Sequence, residues 1–193
     1  MTIVYCRDAP GHQWHEPYHD QEYGFPVLDD RVLFERLALE INQAGLSWLI
    51  VLKKRAALNE AFDGFDIERV ADYGENDRAR LLGCAGIIRN RRKIDAIIEN
   101  ARRLVALRNE TGSFVPGSFV QWIANHHPRS KLEWIALFRR RFTFMGGEIV
   151  GEFLMSIGYL PGAHSPDCPV FARLAPLPPP WLAAEAAGFT GYR

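Results

Sequence analysis

The sequence is poor in cysteine, with Cys6, Cys84 and Cys168 as the three thiols among 193 residues. An odd number of thiols spread this far apart does not make a disulfide framework of the kind that stabilises small secreted domains. At 48% hydrophobic residues, the chain can bury a substantial core without such cross-links. We therefore expect the cysteines to be reduced.

The sequence also lacks net charge, because 23 basic residues balance 23 acidic ones. No overall electrostatic field therefore draws the protein to nucleic acid. The basic residues are nevertheless clustered, in the runs 53–55, 89–93, 102–103 and 139–141. Such runs usually form solvated helix faces, but they could also meet on one surface that binds phosphate groups.

Long hydrophobic runs are missing, so no segment is predicted to cross a membrane. Residues 1–15 have no charged region followed by an apolar core, and this predicts that there is no secretory signal. Together the two absences predict a cytoplasmic protein with no membrane partner.

Alternation of polar and apolar residues, the pattern of a half-buried strand, is absent as well. Helical spacing is common instead, and in the segment 90–110 the apolar residues recur every three or four positions. Asp29 or Asp30 is predicted to cap a helix that ends near Glu40, and a second helix is predicted over residues 47–62. The sequence therefore predicts an all-α fold.

We expect a single unit over residues 1–193 with three parts. Residues 1–28 are rich in His, Trp, Tyr and Pro without helical spacing, which predicts an irregular N-terminal arm. Residues 29–158 are predicted to be the helical body. Residues 159–193 are predicted to form a loop followed by a Pro-rich surface tail.

The stretch from Glu40 to Arg55 connects two predicted helices. Gly45 is predicted to end the first helix, and Ser47 to cap the second, which has Trp48 in its first turn. A carboxylate and an indole therefore lie on either side of a tight turn. Such a pair is more often a core tryptophan beside a capped helix than the wall of a binding pocket.

Three separated blocks of the chain carry distinctive residue patterns. They are Tyr18-His19-Asp20-x-Glu22-Tyr23-Gly24-x-Pro26, then Glu40-x-x-Gln43-Ala44-Gly45-Leu46-Ser47-Trp48-x-x-Val51-Leu52-Lys53-Lys54-Arg55, then Ala85-Gly86-Ile87-Ile88-Arg89-Asn90-Arg91-x-Lys93-Ile94. Together they resemble the DNA-3-methyladenine glycosylase I family, a branch of the helix-hairpin-helix glycosylase superfamily. The resemblance implies a monomeric enzyme of base excision repair that removes alkylated adenine from double-stranded DNA at the bacterial nucleoid.

Cysteine and histidine occur in two pairs near the two ends of the chain. Cys6 and His19 lie thirteen residues apart, and His164 and Cys168 lie four residues apart. Two thiolates and two imidazoles suit tetrahedral zinc and leave no open position for catalysis, although chance pairs of this kind are common. The resemblance implies that all four residues bind a structural zinc ion that ties the ends of the chain together.

The chemistry of an alkylated base sets the requirements of a glycosylase pocket. A base in a duplex must leave the stack before a protein can act on it. Methylation at N3 makes adenine cationic, so the pocket needs an aromatic face and an acceptor for the base edge. By resemblance, Tyr18, Glu40 and Trp48 bind the substrate, and Glu40 contacts the flipped base as the catalytic residue. No lysine stands where a Schiff base would form, so strand cleavage is not implied.

A hairpin is predicted between the basic run 139–141 and the apolar helix that follows it. Glycines in a hairpin let backbone N–H groups approach a phosphate, and the next helix N-terminus favours an anion. The segment could equally be an ordinary turn between two helices. By resemblance it contacts DNA through Arg141, Phe144, Met145, Gly146 and Gly147, and Arg139 and Arg140 beside it are expected to bind phosphates.

The chain departs from the family's pattern at several positions. Asp8 replaces a tryptophan, His15 replaces another aromatic residue, and Ile41 replaces a glycine. Gly151 and Met155 stand where the family has Tyr and Gln. Because Asp8 takes the place of an aromatic wall, it could supply a second negative charge to a cationic base.

These departures leave a second hypothesis open, in which the protein binds damaged DNA, or accepts a different base, without excising 3-methyladenine. Release of free base from methylated DNA distinguishes the two hypotheses. A third hypothesis, a zinc-dependent hydrolase, conflicts with a closed set of four protein ligands, because such a site offers no metal-bound water.

Overall fold

The computed structural model describes residues 2–110, 117–174 and 176–192. Within these ranges it contains twelve α-helices, a short 3-10 turn at Asp63–Phe65 and no β-strand. The prediction of an all-α fold is therefore confirmed. The helices are α1 Thr2–Asp8, α2 His15–Gln21, α3 Asp30–Gln43, α4 Trp48–Ala61, α5 Ile67–Ala71, α6 Glu75–Gly83, α7 Arg91–Glu110, α8 Ser118–His126, α9 Lys131–Arg141, α10 Gly147–Ser156, α11 Pro169–Arg173 and α12 Pro180–Ala186.

Helix α3 lies at the centre of the fold. Every residue from Leu33 to Asn42 is buried, and the helix packs against α4, α7, α8 and α10. Burial on all faces is typical of a helix in the middle of a bundle. The helix continues past Glu40 to Gln43, so the Glu40 carboxylate projects from the last full turn and not from the helix end.

The longest helix, α7, has the apolar face that its spacing predicts. Ile94, Ile97, Ile98, Ala101 and Leu104 are all buried, and the helix packs against α3 and α5. None of the helices in the described part of the chain is both long and apolar enough to span a membrane.

Asp29 and Asp30 have different roles at the start of α3. Asp29 caps α3, because its side chain accepts hydrogen bonds from two backbone N–H groups of the first turn. Asp30 is buried and caps α8 instead, accepting from the backbone N–H groups of Gly117 at 3.0 Å, Phe119 at 3.0 Å and Val120 at 2.9 Å. A carboxylate at this position satisfies N–H groups that have no partner within their own helix.

We expect Asp30→Ala to lower the free energy of unfolding by about 2–4 kcal/mol, because it leaves buried N–H donors without an acceptor. The matched change Asp29→Ala removes an exposed cap and should cost about 1 kcal/mol. Urea unfolding of the two variants measures both values. Equal losses would show that Asp30 does no more than an ordinary surface cap.

The N-terminal segment 1–28 is not the irregular arm that the sequence predicts, because it contains α1 and α2. Glu22, directly after α2, forms ion pairs with Arg36 of α3 at 2.7 Å and with Arg55 of α4 at 2.7 Å. Contacts of this kind, and aromatic packing, hold the short helices in place. They require no apolar stripe, so helical spacing could not reveal them.

The Pro-rich C-terminal segment lies at the surface, since only Pro179 and Ala184 are buried among residues 177–192, but it also packs on the helical body. The backbone N–H of Trp181 donates to the carbonyl of Gly158 at 3.1 Å, and Pro179 lies against the same glycine. The Tyr192 hydroxyl lies 2.6 Å from Nε2 of His127. Proline is the first residue of α12, a position that proline favours because an N–H group there would have no partner within the helix.

Candidate active site

A cavity of about 480 Å³ lies between α1, α2, α3, α4 and the start of α10. Tyr18, Glu40 and Trp48, the three residues predicted to bind the substrate, all line it. The structure therefore brings together side chains from three helices that are separate in the sequence.

The turn between α3 and α4 fixes the positions of the acid and the indole. Gly45 has φ +78°, a left-handed conformation that favours glycine, and it ends α3 as predicted. Ser47 occupies the N-cap position of α4, but its side chain makes no capping hydrogen bond. The turn is held by Lys93 of α7, whose Nζ donates hydrogen bonds to the carbonyls at the end of α3, those of Asn42 at 2.8 Å and Ala44 at 2.7 Å. Lys93 is buried in this contact, so it is not part of the exposed basic run predicted around it.

The Glu40 carboxyl group is only 5% exposed to solvent. Its pKa is raised to about 8, mainly by burial and also by the nearby Glu152, while Arg36 acts in the opposite direction. Glu40 is therefore largely protonated at neutral pH when the cavity holds no positive charge. A cation beside it would favour the carboxylate and displace that proton.

Four aromatic side chains build the wall of the cavity: Tyr5, Tyr18, Tyr23 and Trp48. The rings of Tyr18 and Trp48 meet edge to face, with centroids 5.1 Å apart. The Tyr18 hydroxyl and the Trp48 indole N–H are buried and make no hydrogen bond of accepted geometry. Burial also raises the pKa of Tyr18, which stays a neutral hydroxyl.

Glu152 of α10 is a second carboxylate that lines the cavity, and the sequence did not single it out. Its Oε2 accepts a hydrogen bond from the Tyr23 hydroxyl at 3.3 Å, and burial raises its pKa. Asp8, from which a second charge was expected, is exposed, pairs with Arg7 at 2.8 Å and is not among the lining residues. That expectation was wrong, because α1 directs Tyr5 to the cavity and Asp8 to the solvent.

The other departures from the family's pattern surround the cavity, and none of them is among its described lining residues. Nδ1 of His15 lies 3.3 Å from the hydroxyl oxygen of Tyr5. Ile41 is part of the main core, and Met155 packs against the tyrosines behind the cavity. Gly151 is buried beneath the side chain of Lys131, which leaves no room for a larger residue without movement.

Helices α9 and α10 form a hairpin whose turn, residues 142–146, lies next to the cavity. Asn100 of α7 holds this turn through two backbone contacts with Thr143. The Thr143 N–H donates to Oδ1 of Asn100 at 2.8 Å, and Nδ2 of Asn100 donates to the Thr143 carbonyl at 3.2 Å. Gly146 and Gly147, both predicted to contact DNA, lie at the cavity edge. The turn is therefore fixed to the body beside the opening.

The remaining hairpin residues differ in how far they reach the surface. Arg140 is exposed, whereas Arg141 and Phe144 are half-buried. Met145 is buried in the core, and its carbonyl accepts a hydrogen bond from Nε of Arg139 at 3.1 Å. The Met145 side chain is thus not available to a DNA strand, because it anchors the turn from inside.

Cys6, His19, His164 and Cys168 meet in a cluster that could hold a metal ion, with all four ligand atoms within 4.8 Å of one another. Cys168 Sγ lies 3.7 Å from Nε2 of His19 and 3.7 Å from Nδ1 of His164. Cys6 Sγ lies 3.8 Å from the same Nδ1. The two pairs recognised in the sequence therefore form one site.

The nitrogen that each histidine presents to the cluster is set by a second contact. Nδ1 of His19 lies 2.6 Å from a carboxylate oxygen of Asp20, and Nε2 of His164 lies 2.7 Å from the carbonyl of Tyr23. With protons on those nitrogens, each ring turns its lone pair towards the cluster. Contacts of this kind orient the histidines of metal sites.

The fold and the cavity define a class of protein: an all-helical body with an aromatic, acidic pocket sized for one flat ring system, next to a helical hairpin. The chain belongs to the methyladenine glycosylase family, whose model matches residues 9–171.

Two bacterial relatives illustrate the family relationship. The chain is 41% identical over 157 residues to DNA-3-methyladenine glycosylase 1 of Escherichia coli K12, covering 73% of this chain and 83% of the relative. It is 36% identical over 168 residues to the DNA-3-methyladenine glycosylase of Haemophilus influenzae, covering 79% and 89%.

The fold is also similar to solved structures. One is 3-methyladenine DNA glycosylase I from Staphylococcus aureus, in a study of 3-methyladenine recognition. Its TM-score is 0.73 at 31% identity, covering 88% of this chain and 97% of that one. A second structure of a 3-methyladenine DNA glycosylase I has a TM-score of 0.70 at 36% identity, covering 80% and 92%.

Proposed function

We propose that the protein is a DNA-3-methyladenine glycosylase of base excision repair, which hydrolyses the N-glycosidic bond of alkylated adenine. The observation that carries the proposal is a buried acid, Glu40, in one cavity with Trp48 and Tyr18. Its relatives in two bacteria bear the name of this activity.

Binding follows from the charge of the flipped nucleotide. An adenine methylated at N3 and attached to the sugar is a flat cation, which the rings of Trp48 and Tyr18 can face. Glu40 then loses its proton and pairs with the cation, which lowers the pKa that burial had raised. The Tyr18 hydroxyl and the Trp48 N–H are both buried, so a ligand would hydrogen-bond to them only after a movement of the cavity wall that exposes these atoms.

The reaction needs little acid catalysis, because the leaving group is already positive. The bond between C1′ and N9 breaks, and its electron pair goes to N9, which makes the released base neutral. Water adds its oxygen to C1′ and gives up a proton, leaving an abasic site. Glu40 orients the base during this step and stabilises the cation in a setting where charge interactions are strong.

We also propose that the Cys6–His19–His164–Cys168 cluster binds a structural zinc ion. In a tetrahedral site with ordinary zinc bond lengths, a sulfur and a nitrogen ligand lie about 3.6 Å apart. The three distances of 3.7–3.8 Å in the cluster support this assignment. A bound ion would cross-link α1, α2 and the loop before α11, and it would supply stability and no catalytic water.

The hairpin between α9 and α10 is proposed to act as a helix-hairpin-helix DNA-binding element. Gly146 is exposed and precedes α10, so free N–H groups of the first turn of α10 can meet a phosphate. The exposed Arg140 lies at the end of α9 on the other side of the turn. Both features favour a DNA backbone that passes over the cavity mouth.

We expect Arg140→Ala to weaken binding to all DNA sequences alike and to reduce the slope of log K against log salt by about one. Arg69→Ala, which removes an exposed arginine from α5, should leave the slope unchanged. Fluorescence titration at four salt concentrations measures the slope. If Arg139→Ala, Arg140→Ala and Arg141→Ala all leave it unchanged, the DNA surface lies elsewhere, with Arg89, Arg91 and Arg92 as the next candidates.

The extent of the functional unit, its oligomeric state, its form of DNA and its cellular setting are also proposals. We propose that residues 1–193 act as one glycosylase unit, a monomer that works on double-stranded DNA in the bacterial cytoplasm. The bacterial relatives support this setting. Sedimentation with and without a damaged duplex tests the monomeric state.

Incubation of the protein with methylated DNA, followed by chromatography of the free bases, tests the proposed function. We expect 3-methyladenine to be released. Retention of methylated DNA without release of any base would instead support a damaged-DNA-binding protein.

A further inference from the structure

We propose that Glu152 is a specificity-determining residue that acts with Glu40 to select bases carrying a positive charge over neutral bases. The inference rests on the proposed glycosylase function and concerns the ligand class of the same cavity. It assigns a role to a residue that the sequence patterns did not reveal.

The geometry places the two carboxyl groups at one cavity from two different helices. Glu40 projects from α3 and Glu152 from α10, and these helices pack against each other. Glu152 is held in position, because its Oε2 accepts the Tyr23 hydroxyl at 3.3 Å. A flat ligand between them therefore meets an acidic group from each helix.

Few positive charges offset this pair. Arg36 acts on Glu40 but is itself paired with Glu22 at 2.7 Å. Lys131 acts on Glu152 but lies 3.6 Å from the carboxylate of Glu148. Among the described residues, the titratable groups that act on the pair are Arg36, Tyr5, Tyr18 and Tyr23 around Glu40, and Tyr23, Glu148 and Lys131 around Glu152.

A buried carboxyl group, Glu40, beside a half-buried one, Glu152, resists losing both protons unless a cation arrives. A positively charged base would meet that need, whereas a neutral base would not. Because cleavage turns the cationic nucleotide into a neutral base, the same pair would favour the substrate and release the product. Glu152 is suited to this role because Tyr23 holds Oε2, while no described residue hydrogen-bonds to the other carboxylate oxygen.

The test compares two ligands by calorimetry with the intact protein. The first is 3,9-dimethyladeninium, a permanent cation that mimics the methylated nucleoside, and the second is neutral 3-methyladenine. Glu152→Gln keeps the acceptor for Tyr23 and removes only the charge. We expect it to weaken the cation by about 10- to 100-fold and the neutral base by less than about threefold.

The pH dependence supplies a readout that a purely structural role would not move. In the wild type, affinity for the cation should rise with pH as the pair loses its proton. In Glu152→Gln this rise should shift to lower pH, because Glu40 no longer has a negative neighbour. Glu60→Gln, which removes an exposed carboxylate from α4, should leave both affinities and the pH profile unchanged.

Equal weakening of both ligands, or no change in either, would overturn the inference. Base release from methylated DNA by the wild type separates this failure from the failure of the proposed function. If the wild type releases 3-methyladenine but Glu152→Gln weakens both ligands equally, or weakens neither, only the inference is wrong. If the wild type releases no base and binds neither ligand, the proposed function is wrong as well.

Discussion

Glu40→Gln is expected to lower kcat/KM for base release from methylated DNA by about 100- to 1,000-fold, the loss typical of removing one group that stabilises charge in a buried site. Glutamine keeps the shape of the side chain but removes the negative charge. It also points N–H groups towards a base that is already positive. Because Glu40 is buried, water screens its interaction with the base only weakly and cannot replace the lost charge.

The pH dependence of kcat/KM tests the role of the Glu40 charge in a second way. With a pKa of about 8 in the free protein, Glu40 gains most of its negative charge as the pH rises from about 7 to about 9. Wild-type kcat/KM should therefore rise over this range, and the rise should be missing in Glu40→Gln. Glu60→Gln serves as the matched control with an exposed carboxylate. A Glu40→Gln enzyme with wild-type activity would remove Glu40 from the mechanism.

Cys168→Ala is expected to lose the zinc ion and to lower the free energy of unfolding by several kcal/mol, because binding of a structural metal contributes directly to folding. The wild type should carry about one zinc ion per chain, a stoichiometry that follows from a single four-ligand cluster. Cys84→Ala is the matched control, because Cys84 is a half-buried thiol outside the cluster. Elemental analysis and thermal unfolding of the three proteins measure both effects.

Activity without the metal separates a structural ion from a catalytic one. Two of the ligands are next in sequence to cavity tyrosines, Cys6 to Tyr5 and His19 to Tyr18. Loss of the ion should therefore loosen the cavity wall and raise KM, while a sample that stays folded continues to release base. Metal retained after Cys168→Ala would contradict the assignment. Complete loss of base release in a folded, metal-free sample would contradict the structural role.

Sequence reasoning identified the parts of the site whose residues carry an unusual chemical combination. Glu40 and Trp48 are separated by a glycine turn, and the structure confirms that turn and brings both residues to one cavity. The Cys and His pairs were joined into one site by the family resemblance, since chance pairs of this kind are common, and the structure brings the four residues together. What the spacing could not show was that Lys93 closes the turn from α7, since that contact joins distant segments.

Other features were hidden because no local pattern encodes them. Glu152 lies in an apolar helix, where it looks like a solvent-facing acid of the same kind as Glu148 one turn earlier. Asp8 was assigned to the cavity by its position in a motif, but the direction of α1 places Tyr5 there instead. Met145 was expected at the DNA surface, yet it is buried because the hairpin turn needs an apolar anchor.

The helical content of the two ends was underestimated for a related reason. The helices α1, α2 and α12 are short, and they are held by ion pairs, aromatic contacts and the Cys/His cluster. By contrast, α7 buries one apolar face over its whole length and was predicted from spacing alone. Spacing detects helices that are stabilised by an apolar stripe and misses those that are stabilised by specific partners.

The central claim is that the protein cuts the glycosidic bond of alkylated adenine and leaves the DNA strand intact. A single-turnover experiment on one methylated duplex, which counts free 3-methyladenine and abasic sites together, tests this claim most directly. We expect the two products to appear at the same rate and in equal amounts, with the strand uncut until it is treated with alkali. Release of no base, or strand breaks that accumulate as fast as the base, would contradict it.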